Sequence, residues 1–195
     1  LEVGQLYQTS NSRGLKWACV TGVAIASATK PNATVDSVLG DIFDHCDPDI
    51  VVKELDRELK NTKKFSDIRD MRVYFDQVYS GIGIPYCFSY ANEVVTKGVC
   101  IFQMVKGNTK DAVIAGVNMG RDTDCVAAVA AGITGALGGT ASIPQKWIDQ
   151  LEKATRLNPH TNSKRTMIES ADGLLQAFRT RLEREKAFAE KMLAL

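Results

Sequence analysis

The chain has 195 residues, of which 24 are basic and 23 acidic, so its formal net charge is +1. Hydrophobic residues make up 45% of it, an ordinary composition for a soluble globular protein. This near neutrality gives no electrostatic case for a nucleic-acid partner, and the length suits one compact domain or about half of a larger one.

The cysteines predict the compartment. There are five of them, standing singly without a C-x-x-C pair. Scattered thiols in odd number are typical of a reducing environment, so we expect a cytoplasmic protein without a disulfide framework or a structural zinc site.

Residues 125–143 carry no charge but are rich in Ala and Gly rather than in Leu or Phe. A buried core helix is therefore favoured there over a membrane span.

Helical periodicity dominates the first half of the chain. The stretch 15–28 is almost uncharged and rich in Ala and Val, which predicts a buried helix. Asp36 is expected to cap a short helix, and residues 50–60 combine an apolar stripe with alternating charges, as surface helices do. Another amphipathic helix is predicted from apolar residues that repeat at intervals of three and four: Ile68, Met71, Phe75 and Val78.

The second half is helical as well. Residues 91–105 are apolar on most sides, 112–118 fit a helix or a strand, and 123–137 form an Ala/Gly helix. Trp17 and Trp147 are expected to anchor the core. The last helix has the clearest apolar face, made by Ala171, Leu174, Leu175, Phe178 and Leu182. No segment alternates convincingly with period two, so the predicted fold class is all-α.

The sharpest local feature is the sequence NMGRDTDC at 118–125, directly before the Ala/Gly helix. At a helix start, Asp122 can lie in the entering loop and Asp124 in the first turn, so that both carboxylates point to one spot. Such a pair suits a hard cation such as Mg²⁺, Mn²⁺ or Ca²⁺. The alternative is that Asp122 or Thr123 is a plain N-cap and Arg121 a solvated cation.

The Ala/Gly helix after this loop helps to decide between a cation site and a plain N-cap. Ala131, Gly135 and Gly139 repeat every four residues along it. Small side chains at that spacing predict the close approach of another backbone. Such packing would hold the preceding loop rigidly, which favours the cation site.

Residues 112–147 read AVIAGVNMGRDTDCVAAVAAGITGALGGTASIPQKW. The combination of V-N-x-G-x-D-T-D, an Ala/Gly helix and I-P-x-x-W resembles the C-terminal signature of the ADP-ribosylglycohydrolase family. That family includes dinitrogenase reductase-activating glycohydrolase, the ADP-ribosyl-acceptor hydrolases and the J1 crystallins. The resemblance implies an orthogonal multi-helix fold, with 1–195 as a single all-α domain and the C-terminal part of a larger family domain. The start at Leu1 rather than Met fits that expectation.

The resemblance also implies a dinuclear Mg²⁺ centre, with Mn²⁺ as a substitute, in which Asp122 and Asp124 are metal ligands. The family's next ligand is a hydroxyl residue, whereas this chain has Cys125, and a thiol is a poor ligand for Mg²⁺. The family's Thr/Ser-Asp-Asp cluster and G-D-x-x-G turn do not occur here. No catalytic residue is therefore assigned, and an N-terminal portion of the same protein is the expected source of the missing groups. Contacts with the substrate are expected from four residues: Asn118, Gly120, Arg121 and Ser89.

The activity implied is metal-dependent hydrolysis of the glycosidic bond in an ADP-ribosylated protein or small-molecule substrate, with neither nucleic acid nor membrane as partner. The alternative is a non-catalytic member that binds ADP-ribose or has a structural role, as crystallins do. Cys125 and the absent carboxylate cluster favour that alternative. A third possibility is an all-α interaction domain with an accidental motif.

Overall fold

A computed structural model describes residues 4, 6, 12–79, 90–160 and 162–194. These residues form nine α-helices and no strand, which confirms the all-α prediction. A π-helical turn at Pro48–Val52 precedes the third helix, and a 3-10 turn at Thr140–Ser142 follows the seventh. In chain order the helices are α1 (Arg13–Ala28), α2 (Val35–His45), α3 (Lys53–Thr62), α4 (Ile68–Val78), α5 (Ala91–Met104), α6 (Thr109–Asn118), α7 (Thr123–Gly138), α8 (Gln145–Leu157) and α9 (Met167–Leu193).

The chain divides into two compact units, Leu1–Ile143 and Pro144–Leu195. The first contains α1 to α7 and the buried apolar core, and the second contains α8 and α9. That residues 1–195 are one domain, the C-terminal part of a larger one, stays a prediction.

Short polar side chains cap five of the nine helices of the described residues. Thr34, not the predicted Asp36, caps α2: its hydroxyl accepts a hydrogen bond from the Ser37 N–H at 3.1 Å, and the Ser37 hydroxyl accepts one from the Thr34 N–H at 2.9 Å. Asp36 lies instead in the first turn, where its negative charge complements the helix dipole. Asn108 caps α6, because its side-chain oxygen accepts a hydrogen bond from the Asp111 N–H at 3.0 Å. The stretch 112–118, for which the sequence allows a helix or a strand, lies within this helix.

Helix α7 lies at the centre of the first unit, with α1, α5 and α6 packed on it. The uncharged stretch is thus a core helix, and no helix in the described ranges has the length and apolarity needed to cross a membrane. Two glycines on neighbouring helices permit close contacts with α7. A Cβ atom on Gly116 of α6 would lie 2.4 Å from the Cα of Ala127, and one on Gly98 of α5 would lie 2.5 Å from Cγ1 of Val129. Side chains larger than hydrogen cannot be accommodated there without movement, so α7 is tightly held on two sides.

The predicted contact stripe of Ala131, Gly135 and Gly139 is wrong. A Cβ atom on Gly135 or Gly139 would meet no atom of the described residues within 4 Å. The glycines that allow close approach lie on the partner helices, and α7 offers them Ala127 and Val129. The tight packing behind the loop is present, but a pattern within α7 alone could not locate it.

The second unit has little interior. Neither α8 nor α9 contains a buried residue. Helix α9 begins with a capping box, in which the Thr166 hydroxyl accepts from the Glu169 N–H at 3.1 Å and the Glu169 carboxylate accepts from the Thr166 N–H at 2.7 Å. Trp17 is fully buried in the first unit as predicted, whereas Trp147 is only half-buried.

Candidate metal centre

The loop between α6 and α7 has an unusual backbone. Gly120 and Arg121 adopt φ angles of 84° and 60°, both in the left-handed region. Asp122 follows with φ −79° and ψ 67°, and the Thr123 N–H donates to the Arg121 carbonyl at 2.9 Å, which defines an inverse γ-turn. A left-handed arginine is strained, so neighbouring contacts must hold it in place.

This turn brings the side chains of Asp122, Asp124 and Cys125 together. One potential ligand atom from each lies within 4.8 Å of the other two, and no other group of this kind occurs in the described part of the chain. Asp122 is half-buried and the other two are exposed, so the group is open to solvent. Although Asp122 occupies the N-cap position, its carboxylate caps no N–H group of α7. A plain capping role therefore does not account for the Asp122 side chain.

The two carboxyl groups lie within 4.8 Å of each other. The pKa of the Asp124 carboxyl is lowered below its ordinary value. The largest cause is a hydrogen bond with Asp122, and hydrogen bonds from the backbone N–H groups of Asp124 and Cys125 contribute less. Two carboxylates at this separation repel unless a proton or a cation lies between them. Oxygen donors this close together, at the positive end of a helix, fit a hard divalent cation.

Cys125 does not fit the same ion. Its hydrogen bond to Asp122 is the largest cause that raises the pKa of the thiol, and burial and the charges of the two carboxylates raise it further. A thiol that keeps its proton is a poor ligand, and sulfur is a poor donor for Mg²⁺ in any case. Of the three clustered side chains, only those of Asp122 and Asp124 have the oxygen atoms that suit a hard cation.

A buried ionic cluster anchors the loop. Glu93 and Lys97 lie one turn apart on α5, with side chains 1% and 0% exposed. Oε1 of Glu93 accepts from Nζ of Lys97 at 2.8 Å and from Nε of Arg121 at 2.6 Å. The other carboxylate oxygen, Oε2, has no hydrogen-bond partner among the described residues. Arg121, a residue of the strained turn, is therefore tied to the core by its side chain.

Sequence reasoning missed Glu93 and Lys97. The apolar character of residues 91–105 predicts only a buried helix. A Glu and a Lys four residues apart in such a helix are the available signal, because two charges can be buried together only when they are paired.

A family model described as ADP-ribosylglycohydrolase matches residues 3–184. The chain belongs to the ADP-ribosylglycohydrolase family. The match runs well beyond the 36-residue signature and ends within α9, so it includes residues of both units.

A curated relative agrees with this assignment. The ADP-ribosylarginine hydrolase Tri1 of Serratia proteamaculans (strain 568) is 41% identical over 51 residues. The aligned segment is 26% of this chain and 14% of that protein, so the chain covers only a small part of the relative's length. No solved structure matches the chain significantly.

The residues predicted to contact substrate are placed as follows in this family member. The Asn118 side chain donates to the Ile114 carbonyl at 2.8 Å and so satisfies the end of α6. Gly120 lies at the turn, and Arg121 is turned to Glu93. Ser89 lies outside the described residues. Their contacts with a substrate stay a prediction.

A groove of about 550 Å³ adjoins the loop. Arg72 of α4 lines it, donates to the Asn118 carbonyl at 3.5 Å, and would lie 3.3 Å from a Cβ atom on Gly120. Arg69 also lines it, but its guanidinium is paired with Asp67, whose pKa it lowers to about 2. Arg72 is a half-exposed cation between the groove and the α6–α7 loop, and its Nε lies 3.6 Å from Oδ2 of Asp76.

Proposed function

We propose that this chain carries part of the active site of a divalent-metal-dependent hydrolase that cleaves the glycosidic bond of ADP-ribosylated substrates. The observation that carries the proposal is the convergence of Asp122 and Asp124 at the start of α7, in a chain that belongs to the ADP-ribosylglycohydrolase family. The family membership supplies the reaction class, and the carboxylate pair supplies the chemistry that such a reaction needs.

The proposed division of work follows from the contacts. Asp122 and Asp124 would hold Mg²⁺ or Mn²⁺, and a bound cation of this kind supplies charge stabilisation and an acidified water for glycosidic hydrolysis. Glu93 holds the Arg121 side chain and thereby the loop that carries both carboxylates. The two aspartates bind and orient; neither is assigned the proton transfer. We further propose that the carboxylate that moves the proton, and a second set of ligands, come from an N-terminal portion of the same protein, so that this chain holds the C-terminal half of the metal site.

The substrate follows from two observations. The relative's name specifies ADP-ribosylarginine, so the N-glycosidic bond between ribose and an arginine side chain is the first candidate for the bond cleaved. Arg72 beside the loop offers a guanidinium to an anionic ligand in the groove, and the diphosphate of ADP-ribose is such an anion.

The metal site is tested by titrating the protein with Mn²⁺ and following the free-ion signal by electron paramagnetic resonance. We expect saturable binding that Mg²⁺ competes away and that Asp122→Asn and Asp124→Asn each weaken at least about tenfold, because each substitution removes a charged ligand. Asp111→Asn is the matched control, since this exposed aspartate near the start of α6 lies outside the group. Binding that is unchanged in both loop variants would exclude the site.

The activity is tested by incubating the protein, with and without its proposed N-terminal portion, with an arginine-ADP-ribosylated protein in Mg²⁺ or EDTA. Release of ADP-ribose is measured by mass spectrometry. We expect release in Mg²⁺ that is lost in EDTA and in Asp122→Asn but not in Asp111→Asn. Metal and ADP-ribose binding without release, in the longer protein, would instead identify a non-catalytic member.

A further inference from the structure

Helix α9 carries an apolar face that is exposed to solvent. Leu174, Leu175, Phe178 and Leu182 are 74%, 47%, 57% and 47% exposed. Four large apolar residues that repeat along one helix and remain in water are unusual in a monomer, because isolated exposed leucines are common but contiguous patches mark interfaces. The helix spans 27 residues, or about 40 Å, which is long enough for a coiled-coil seam.

The spacing of this face is that of a coiled coil. Apolar residues recur at alternating intervals of three and four, the a and d positions of a heptad: Ile168, Ala171, Leu175, Phe178 and Leu182. The next d position is Glu185, which ends the fully apolar part of the seam. The core of any pairing is therefore expected around Leu175 and Phe178.

The charges along α9 are distributed unevenly. Residues 167–178 contain two acidic residues and no basic one, and residues 179–193 contain five basic and three acidic residues. The first part has a net charge of −2 and the second of +2. A second copy laid antiparallel places each acidic part against a basic part, so the helix is complementary to itself in that orientation.

The charged positions that flank the seam also favour an antiparallel pair. Asp172 and Arg179 are both e positions. The ion pairs of α9 within the described ranges join other residues, Arg156 to Glu169, Arg181 to Glu185 and Lys186 to Glu190. When Leu175 lies opposite Phe178 of an antiparallel copy, Ala171 lies opposite Leu182, and Asp172 comes beside Arg179 of the other copy at both ends. A parallel pair would instead place Arg181 beside Lys186 of the second copy, and like charges there repel.

We propose that α9 is a self-association surface, through which two copies of this chain pair as antiparallel helices centred between Leu175 and Phe178. The pairing covers the exposed apolar face and joins two complementary charge patterns. It is independent of the metal site, because every residue that carries it belongs to the second unit.

The test is sedimentation velocity of the full chain over a range of concentrations, with far-UV circular dichroism as a check on folding. We expect reversible dimers in the unchanged protein and at least about a tenfold rise in the dissociation constant for Phe178→Asp. Gln176→Asp adds the same charge two residues away, off the seam, and is expected to dimerise normally. A monomer at every concentration, or a dimer that Phe178→Asp leaves unchanged while the helix content is retained, would overturn the proposal.

The antiparallel orientation of the two α9 helices is tested separately, by reversing charges beside the seam. Asp172→Arg is expected to weaken the dimer because it puts two arginines side by side, and the double variant Asp172→Arg with Arg179→Asp is expected to restore it. Restoration is the signature of an antiparallel pair, since a general loss of helix stability would not be reversed by a second charge change. If the double variant is weaker than the single one, the proposed antiparallel register is wrong.

Discussion

Helices α5 and α9 each contain an acidic and a basic residue four positions apart, but in opposite surroundings. Glu93 and Lys97 of α5 are 1% and 0% exposed, whereas Arg181 and Glu185 of α9 are 78% and 57% exposed. The distances are alike, 2.8 Å and 2.7 Å. The comparison shows that distance does not decide what an ion pair does: water screens the pair on α9, while the pair on α5 must compensate two desolvated charges.

The apolar residues of the two units also differ in how far they are buried. In the first unit, neighbouring helices cover the small residues of α7, so that even alanines are buried. In the second unit, large apolar residues of α9 remain exposed. Burial therefore follows from the partner and not from the hydrophobicity of the helix itself.

The largest effect is expected when the buried pair is broken. Glu93→Gln leaves the Lys97 ammonium buried without a counter-charge, so we expect the free energy of unfolding to fall by about 3–5 kcal/mol. Equilibrium unfolding in urea measures it. Glu185→Gln is the matched control on α9 and is expected to leave the unfolding midpoint unchanged.

The double variant Glu93→Gln with Lys97→Met sharpens the result. It is expected to be more stable than Glu93→Gln alone, because no unpaired ammonium remains in the core. Simple addition of two losses would contradict the view that desolvation of Lys97 is the cause. A folded double variant also tests the anchor of Arg121, and we expect weaker Mn²⁺ binding from it than from Glu185→Gln.

A smaller effect is expected at the close helix contact. Gly116→Ala places a methyl group 2.4 Å from the Cα of Ala127, a backbone atom that cannot turn away, so we expect a loss of about 1–3 kcal/mol in the same assay. Gly135→Ala makes the same change where there is open space, and it is expected to stabilise α7 by up to about 1 kcal/mol. Equal effects at the two positions would show that helix propensity, not packing, dominates.

The smallest effect is expected from the two capping boxes. Thr34→Ala and Thr166→Ala each remove a side-chain acceptor for an N–H group at a helix start, and each is expected to cost about 1 kcal/mol. Urea unfolding followed by circular dichroism compares the two variants. A much larger loss for Thr166→Ala would mean that its burial, rather than the cap, is what matters in the second unit.

Much of this fold could be predicted because helix periodicity is local. The spacing of Ile68, Met71 and Phe75 shows the inner face of α4 without reference to any other helix, and Met71 and Phe75 are indeed fully buried. The partner of a face is not local. The stripe on α7 failed for that reason, since the glycines that matter are Gly98 and Gly116 on other helices.

The candidate site also combines a local feature that the sequence predicts with a distant contact that it does not. The proximity of Asp122 and Asp124 could be predicted because both lie at the start of one helix. The contact between Glu93 and Arg121 joins residues 28 positions apart and has no trace in the spacing of either segment. The spacing of its apolar residues predicts the apolar face of α9, but only the structure shows that these side chains are exposed.

Cys125 offers a practical consequence. Among the described cysteines it is the exposed one, whereas Cys46 and Cys100 are buried, and burial raises the pKa of these two thiols to about 11 and about 12. At alkaline pH, where the raised pKa of the Cys125 thiol is overcome, a thiol-reactive spin label or fluorophore would reach Cys125 in preference to the buried Cys46 and Cys100. The protein thus carries a natural labelling position within 4.8 Å of the proposed ligand atoms, from which cation entry can be observed directly.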